Sequence, residues 1–329
     1  MPDEMKIAML GPRGVGKTSL LAAMYDQFES TVGLTNLQLI PDLKSSAILA
    51  ERLGELKSLV YDFEAKGGIG YTNDIRSFIF DLGKRGSKPS LRLKFQDFPG
   101  VYLDAKLPEE SDKLEDYYES VKDMMEESDA VIIAIDAPAL MEGRGKWHEK
   151  INRPQQIKDL FARAYQNLKS PRLVIFAPVK CEKYLQNETS AKKLREKIKE
   201  GYANLINFLQ SEAISPWVPC AIIPVQTVGT VVFSMIEEID NTPHFYFHKT
   251  SHNAMYSPKD SEIPLLYLLR FVLKIHNHNS NFDWGPYKFI RDWFGKQEDI
   301  KQAAKIALEA CQSHDDVTLL QGDKWLKID

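Results

Sequence analysis

Residues 7–18 read IAMLGPRGVGKT, and this stretch decides the fold. Its four apolar residues predict a buried strand, the next eight match the pattern G-x-x-x-x-G-K-T, and residues 19–25, SLLAAMY, predict a helix. A strand, a glycine-rich loop and a helix in this order are the context in which the pattern binds phosphate. We therefore predict a loop at residues 11–18 that binds the phosphates of a nucleoside triphosphate.

The residue types in this loop suit phosphate chemistry. Glycines let successive backbone N–H groups point at the β-phosphate, and the N-terminus of the following helix adds partial positive charge. Lys17 is expected to bridge the β- and γ-phosphates, and the Thr18 hydroxyl to ligate Mg²⁺. The predicted nucleotide-binding residues here are Gly11, Arg13, Gly14, Val15, Gly16, Lys17, Thr18 and Ser19.

Composition narrows the class of protein. The 329 residues are 43% hydrophobic and 27% charged, which is ordinary for a globular protein, and the net charge of −4 makes nucleic acid an unlikely main partner. Residues 1–6 carry acids, unlike a secretory signal, and the longest apolar stretch, residues 264–273, is too short for a transmembrane segment. With three widely spaced cysteines and no CxxC pattern, these features predict a cytoplasmic location.

Strands and helices alternate along the chain. Strands are predicted at residues 77–82, 91–95, 130–135, 173–177 and 221–225, and helices at residues 41–66, 115–127, 155–168, 191–209 and 264–276. Residues 77–82 and 91–95 are expected to pair as a hairpin. The other strands are almost continuously apolar, which is typical of a mostly parallel sheet with helices on both faces. The predicted fold class is α/β, a three-layer α/β/α P-loop NTPase.

Some segments interrupt this order. An inserted helix within residues 41–66 and a β-hairpin within residues 231–252 are expected to decorate the core. We predict one domain over residues 1–276, with insertions at about 31–70 and 229–260. Residues 277–329 are predicted to form a small C-terminal appendage, with a helix at residues 298–311, that packs on the core because about fifty residues rarely form a core alone.

A second motif follows the predicted hairpin. Residues 97–100 read DFPG, which has the form D-x-x-G and closes a strand. Together with residues 11–18 and the strand at residues 129–136, this motif resembles the Ras-like (translation-factor-related) GTPase superfamily over roughly residues 6–276. Within that superfamily the sequence looks most similar to bacterial double-GTPase-type proteins.

The resemblance implies GTP and GDP as ligands and Mg²⁺ as cofactor. It implies that Asp97 and Thr18 hold the metal and that the Gly100 N–H meets the γ-phosphate. A switch threonine would complete the metal site, and Thr72 has the best position for it. Thr31 and Thr35 are alternatives, and an ordinary loop hydroxyl is the competing interpretation of Thr72.

The base-reading motif of such proteins, N-K-x-D, is replaced at residues 179–182 by VKCE. The resemblance implies that Lys180 lays its stem along the base and that Glu182 accepts hydrogen bonds from guanine N1 and N2. Val179 cannot replace the asparagine, so ATP remains open beside the favoured GTP. Residues 226–229, QTVG, are expected to support the base.

Hydrolysis is expected to be slow, because Val101 stands where the Ras pattern has a water-orienting glutamine. Arg13 could supply an arginine finger in cis or to a partner molecule, or could be a surface arginine paired with an acid. The predicted catalytic residues are Lys17, Thr72, Gly100 and Arg13.

We expect a GTP-binding switch that regulates a protein partner or meets a second GTPase-type molecule as a dimer. Two alternatives remain open. One is an ATP-dependent enzyme in which Asp136 holds the metal. The other is a pseudo-GTPase that binds nucleotide without turning it over.

Overall fold

A computed structural model describes residues 3–32, 37–62, 64–66, 76–89, 91–98, 111–278 and 316–326. The strands are β1 Asp3–Leu10, β2 Leu37–Pro41, β3 Glu64–Lys66, β4 Arg76–Lys84, β5 Leu91–Asp97, β6 Ala130–Asp136, β7 Leu173–Val179, β8 Cys220–Ile222, β9 Val231–Ile239, β10 Thr242–Lys249 and β11 Thr318–Gln321. The α-helices are α1 Lys17–Val32, α2 Leu43–Ser58, α3 Ser111–Glu127, α4 Ala137–Met141, α5 His148–Asn152, α6 Pro154–Ala164, α7 Glu188–Gly201, α8 Ala203–Leu209, α9 Ile263–His278 and α10 Asp323–Leu326.

Eight of the strands form one sheet in the order β11-β8-β7-β6-β1-β5-β4-β2. The five strands from β8 to β5 are parallel to their neighbours, whereas β4, β2 and β11 are antiparallel to theirs. Every residue of β6 and β7 is buried, because helices cover both faces of the sheet there. The predicted mostly parallel sheet is confirmed.

Two hydrophobic cores flank the sheet. One contains side chains of α1, α2, α9 and α10, including Leu20 and Phe271. The other contains side chains of α3, α6, α7 and α8, including Phe161 and Leu194. The layers are therefore helix, sheet and helix, and the predicted α/β/α fold class is correct.

Some element boundaries differ from the predictions. The helix predicted over residues 41–66 ends at Ser58, and residues 64–66 form β3 instead. The helix predicted over residues 191–209 is two helices separated at Tyr202, whose side chain is buried in the second hydrophobic core. The edge strand β2 was not predicted, because its five residues lie between two helices and have no turn signal of their own.

The hairpin predicted within residues 231–252 is confirmed: it consists of β9 and β10, which pair antiparallel. Strand β3 pairs with the other side of β10, so these three strands form a second, small sheet. Lys249, at the end of β10, donates to the carbonyl oxygen of Val60 at 2.9 Å and joins this sheet to the end of α2.

The last described residues complete the main sheet. Strand β11 pairs with β8, and Trp325 and Leu326 of α10 are buried in the same core as α9. The helix predicted at residues 298–311 lies outside the described residues. Within the described residues, none of the helices combines the length and the apolar character that a bilayer crossing requires.

Candidate nucleotide-binding site

Parallel strands bring their carboxyl ends to one edge of the main sheet, which is where ligands bind in open α/β sheets. At that edge β1 leads into Gly11, β5 ends at Asp97, β6 ends at Asp136 and β7 ends at Val179. The loop that follows β1, Asp97, Asp136 and the residues that follow β7 therefore meet at this edge, although they lie far apart along the chain.

The phosphate loop depends on backbone angles that favour glycine. The φ angles of Gly11, Gly14 and Gly16 are 143°, 74° and 113°. A Cβ atom at Gly11 would lie 2.8 Å from the carbonyl oxygen of Ala134 on β6, closer than such contacts allow. Because Gly11 has no side chain, the loop can lie this close to the sheet.

Lys17 begins α1, and its side chain is buried beneath the loop. The Nζ atom donates to the carbonyl oxygen of Gly11 at 2.8 Å and lies 3.8 Å from Oδ1 of Asp97. Burial lowers the pKa of Lys17, and the charge of Asp97 opposes that change. Both contacts hold the ammonium group where the loop curls.

Thr18 and Asp97 meet directly. The Thr18 hydroxyl donates to Oδ2 of Asp97 at 2.8 Å, because Asp97 pairs with Met9 in the sheet and so ends beside the first turn of α1. Burial raises the pKa of Asp97, which Lys17 and Thr18 oppose. Oδ1 of Asp97 is buried without a hydrogen-bond partner.

These atoms suit a divalent cation. A hydroxyl and a carboxylate in contact, with one buried carboxylate oxygen unbonded, are oxygen ligands of the kind that Mg²⁺ takes beside phosphate. An unbonded buried carboxylate oxygen is costly without a ligand. The residues present therefore fit Mg²⁺, which Thr18 and Asp97 would hold.

Lys180 directly follows β7, and its side chain reaches the phosphate loop. Its backbone is left-handed, with φ of 57°, and its Nζ atom donates to the carbonyl oxygen of Gly14 at 3.2 Å and to Oδ2 of Asp136 at 2.6 Å. The stem of Lys180 therefore runs from the end of β7 to the loop, and its predicted contact with the base stays a prediction.

Glu182 is two residues after Lys180 in the sequence and is buried. Its Oε1 atom accepts from the backbone N–H groups of Val228 and Gly229 at 3.1 and 3.3 Å. Burial raises the pKa of Glu182, and these hydrogen bonds oppose that change. The structure thus brings residues 226–229 together with Glu182, a contact that the sequence did not predict, and the base-supporting role of this loop stays a prediction.

The remaining predicted residues have different outcomes. Arg13 is exposed on the phosphate loop. Val179 is buried at the end of β7, with a γ-carbon 3.9 Å from where a Cβ of Gly16 would be. Thr72, Gly100 and Val101 lie outside the described residues, so their predicted roles stay predictions.

Asp136 makes contacts that the sequence did not predict. Its Oδ1 atom accepts from the Ala139 N–H at 2.9 Å and its Oδ2 atom from Lys180, while its backbone is bonded to the side chain of Asn152. An aspartate followed by Ala-Pro is a visible helix-start signal. No sequence signal marks Asn152 as its partner.

Comparison with protein-family models found no match, and neither did comparison with curated proteins. Among solved structures, the chain is similar to the Ski7 GTPase-like domain of S. cerevisiae bound to GTP, with 14% identity and a TM-score of 0.43 over 85% of this chain and 51% of that one. It is also similar to the SRb-GTP/SRX complex from Chaetomium thermophilum, with 15% identity and a TM-score of 0.39 over 68% of this chain and 91% of that one. A probable GTP-binding protein, engB, matches with 14% identity and a TM-score of 0.34 over 68% of this chain and 88% of that one. The chain spans about half the length of the Ski7 chain.

Proposed function

We propose that this protein binds GTP and GDP with Mg²⁺ at the carboxyl edge of its main sheet and acts as a nucleotide-dependent switch with slow GTP hydrolysis. The observation that carries the proposal is the meeting of Lys17, Thr18 and Asp97 beneath a glycine loop. The side chains of Lys17 and Thr18, from the first motif, both contact Asp97 of the second motif, which lies 79 positions after Thr18.

The phosphate end of the site uses the loop and Lys17. The backbone N–H groups of residues 14–19 and the start of α1 would face the phosphates, and the Lys17 ammonium would bridge the β- and γ-phosphates. Charge-assisted contacts of this kind contribute about 1.5–3 kcal/mol each. In the proposed complex, Thr18 and Asp97 would hold Mg²⁺, which when bound neutralises charge that develops on the phosphate oxygens.

The base end of the site uses Lys180 and Glu182. The Lys180 stem would lie along the plane of guanine, and Glu182 would accept from its N1 and N2 groups. Support comes from the buried carboxylate, which two backbone N–H groups of residues 228–229 already orient through Oε1. The other oxygen, Oε2, is then the one that would meet the base.

Switching would depend on the segments that follow the two motifs. Thr72 and Gly100 are proposed to approach the γ-phosphate and to be released after hydrolysis. Val101 in place of a glutamine supports slow intrinsic turnover. We propose that a protein partner, or a second GTPase-type molecule to which Arg13 is presented, reads this change in the cytoplasm.

An ATP-dependent enzyme that uses Asp136 as metal ligand is the second candidate. The contacts of Asp136 count against it, because its two carboxylate oxygens face Lys180 and Ala139 while Thr18 contacts Asp97. Mg²⁺-dependent turnover that is lost in Asp136→Ala and kept in Asp97→Ala would favour the second candidate over the first.

Calorimetric titration with GTP tests the proposal. Lys17→Ala should weaken GTP binding by at least about tenfold, since it removes a charge-assisted phosphate contact. Lys44→Ala is the matched control, because Lys44 is exposed on α2 away from the loop. Equal GTP affinity in Lys17→Ala and Lys44→Ala would mean that the loop does not bind the triphosphate.

A further inference from the structure

The contact between Lys180 and Asp136 is more than a surface ion pair. The Lys180 ammonium lies 2.6 Å from Oδ2 of Asp136, whose side chain is only 3% exposed. The same ammonium donates to Gly14 of the phosphate loop. One carboxylate therefore determines where a lysine that spans the loop is held.

Asp136 is itself held from several sides. Strand β1 ends at Leu10, which pairs with Ile133, so Asp136 extends three residues beyond the last β1 partner of β6. The Asn152 side chain occupies this position instead: its Oδ1 atom accepts from the Asp136 N–H at 2.8 Å, and its Nδ2 atom donates to the Asp136 carbonyl oxygen at 3.1 Å. Asn152 has no exposed surface.

A buried histidine orients Asn152. The ring Nε2 of His148 lies 3.1 Å from the carbonyl oxygen of Gly201, which can only accept, so Nε2 carries the proton. Nδ1 is then free to accept from Nδ2 of Asn152, also at 3.1 Å. Burial lowers the pKa of His148 and favours this neutral form. Every polar atom of the Asn152 amide thus has one assigned partner or more.

The side chain of Lys180 starts from an uncommon backbone conformation. Its φ of 57° is left-handed, a region that non-glycine residues rarely adopt. The ion pair with Asp136 and the hydrogen bond to Gly14 hold the far end of this side chain. Without Asp136, the ammonium would keep only the longer of the two contacts.

We propose that Asp136, fixed by Asn152, is a positioning residue that locks Lys180 across the phosphate loop and thereby sets how slowly bound nucleotide is released. This inference rests on the proposed function, since it concerns the same nucleotide site. It assigns to Asp136 a role on the base side of the site, in place of metal binding.

Release of a fluorescent methylanthraniloyl-GDP, chased with excess GDP in Mg²⁺, measures the effect. Asp136→Asn keeps an oxygen for the Ala139 N–H and removes the charge that holds Lys180, so release should accelerate about tenfold. In a Lys180→Met background the same change should accelerate release less than about twofold, because Asp136 acts through Lys180. Asp159→Asn, on the exposed face of α6, is the matched control and should not change the release rate.

Equal acceleration by Asp136→Asn in both backgrounds would overturn the proposal, since Asp136 would then act on the site without Lys180. No acceleration in the single variant would overturn it as well. If Asp136→Asn does not fold, Lys180→Arg and Lys180→Met decide: the arginine, which can pair with Asp136, should release nucleotide at close to the wild-type rate and the methionine should release it faster. Equal release rates for wild type and Lys180→Met would overturn the proposal. If wild-type protein retains adenine nucleotide instead of guanine nucleotide, the proposed function fails, and the same variants test the lock with the adenine analogue.

Discussion

At the scale of single residues, the site concentrates charge in a buried place. Lys17 is 7% exposed and Asp97 is 2% exposed, and their charged atoms lie 3.8 Å apart, so neither is fully compensated. Burial lowers the pKa of Lys17 and raises the pKa of Asp97, because it disfavours the charged form of each group. The arrangement therefore costs free energy in the absence of a ligand. Charged phosphate and Mg²⁺ would offset that cost, which links these two residues to binding more than to folding.

The Thr18 hydroxyl should govern the effect of Mg²⁺ on binding. Thr18→Val keeps the shape of the side chain and removes the oxygen that contacts Asp97. We expect GDP affinity in Mg²⁺ to fall about tenfold or more in Thr18→Val, to the level measured for wild type in EDTA, since one charged contact is lost. Thr18→Ser retains the hydroxyl and serves as the control. A valine variant that still binds more tightly in Mg²⁺ than in EDTA, by the wild-type ratio, would exclude Thr18 as a ligand.

Among the helices and strands, those that a local sequence pattern determines could be predicted from the sequence. Continuous apolar runs identified β6 and β7, and G-x-x-x-x-G-K-T placed the turn between β1 and α1. The contacts of Asp136 with Asn152 and Lys180 could not be predicted, because they join residues 16 and 44 positions apart that meet only after the sheet forms.

The short edge strands of the sheet could not be predicted from hydrophobic periodicity either. Strands β2 and β11 have five and four residues, too few for a repeating pattern, and their pairing with β4 and β8 comes from the tertiary fold. The site motifs were predictable because each one carries its own local context, a strand followed by a loop.

Two glycines in different elements should respond oppositely to alanine. Gly11→Ala places a Cβ 2.8 Å from a carbonyl oxygen at a φ of 143°, so we expect a loss of about 1–3 kcal/mol in the free energy of unfolding together with loss of GDP binding. Gly54→Ala lies inside α2 with nothing within 4 Å of the new Cβ and should add about 0.5–1 kcal/mol.

Urea denaturation of both variants checks this pair. Gly54→Ala should leave GDP affinity unchanged, since α2 lies outside the phosphate loop. A Gly11→Ala variant with wild-type stability and wild-type GDP affinity would show that the close approach of the loop to Ala134 is not required.

At the scale of the whole molecule, the chain folds back so that its last described residues support the first. β11 extends the sheet beyond β8, and Trp325 is buried at 4% exposure in the core that also contains Ile7 and Leu20 beside the phosphate loop. The Trp325 Nε1 atom donates to the carbonyl oxygen of Pro216 at 3.4 Å. Within residues 316–326, the side chains of Trp325 and Leu326 therefore belong to the structural core.

Removal of this side chain should destabilise the entire fold. Trp325→Ala is expected to lower the free energy of unfolding by about 3–5 kcal/mol, the range for a large buried aromatic residue. Lys324→Ala, on the exposed side of the same helix, should cost less than about 1 kcal/mol. Chemical denaturation followed by circular dichroism measures both. Similar stability of the two variants would show that α10 packs only loosely on the core.

One site is proposed to recognise both the phosphates and a guanine base, and competition between nucleotides for that site tests this proposal. Unlabelled GDP, inosine diphosphate and ADP would be titrated against bound methylanthraniloyl-GDP in wild type, Glu182→Gln and the exposed control Glu212→Gln. We expect GDP to compete best in wild type and in the control. We also expect Glu182→Gln to lower the preference for GDP over inosine diphosphate, which lacks the 2-amino group, by about tenfold, because a charge-assisted hydrogen bond is lost. ADP that competes as well as GDP with wild-type protein would show that the site does not recognise guanine.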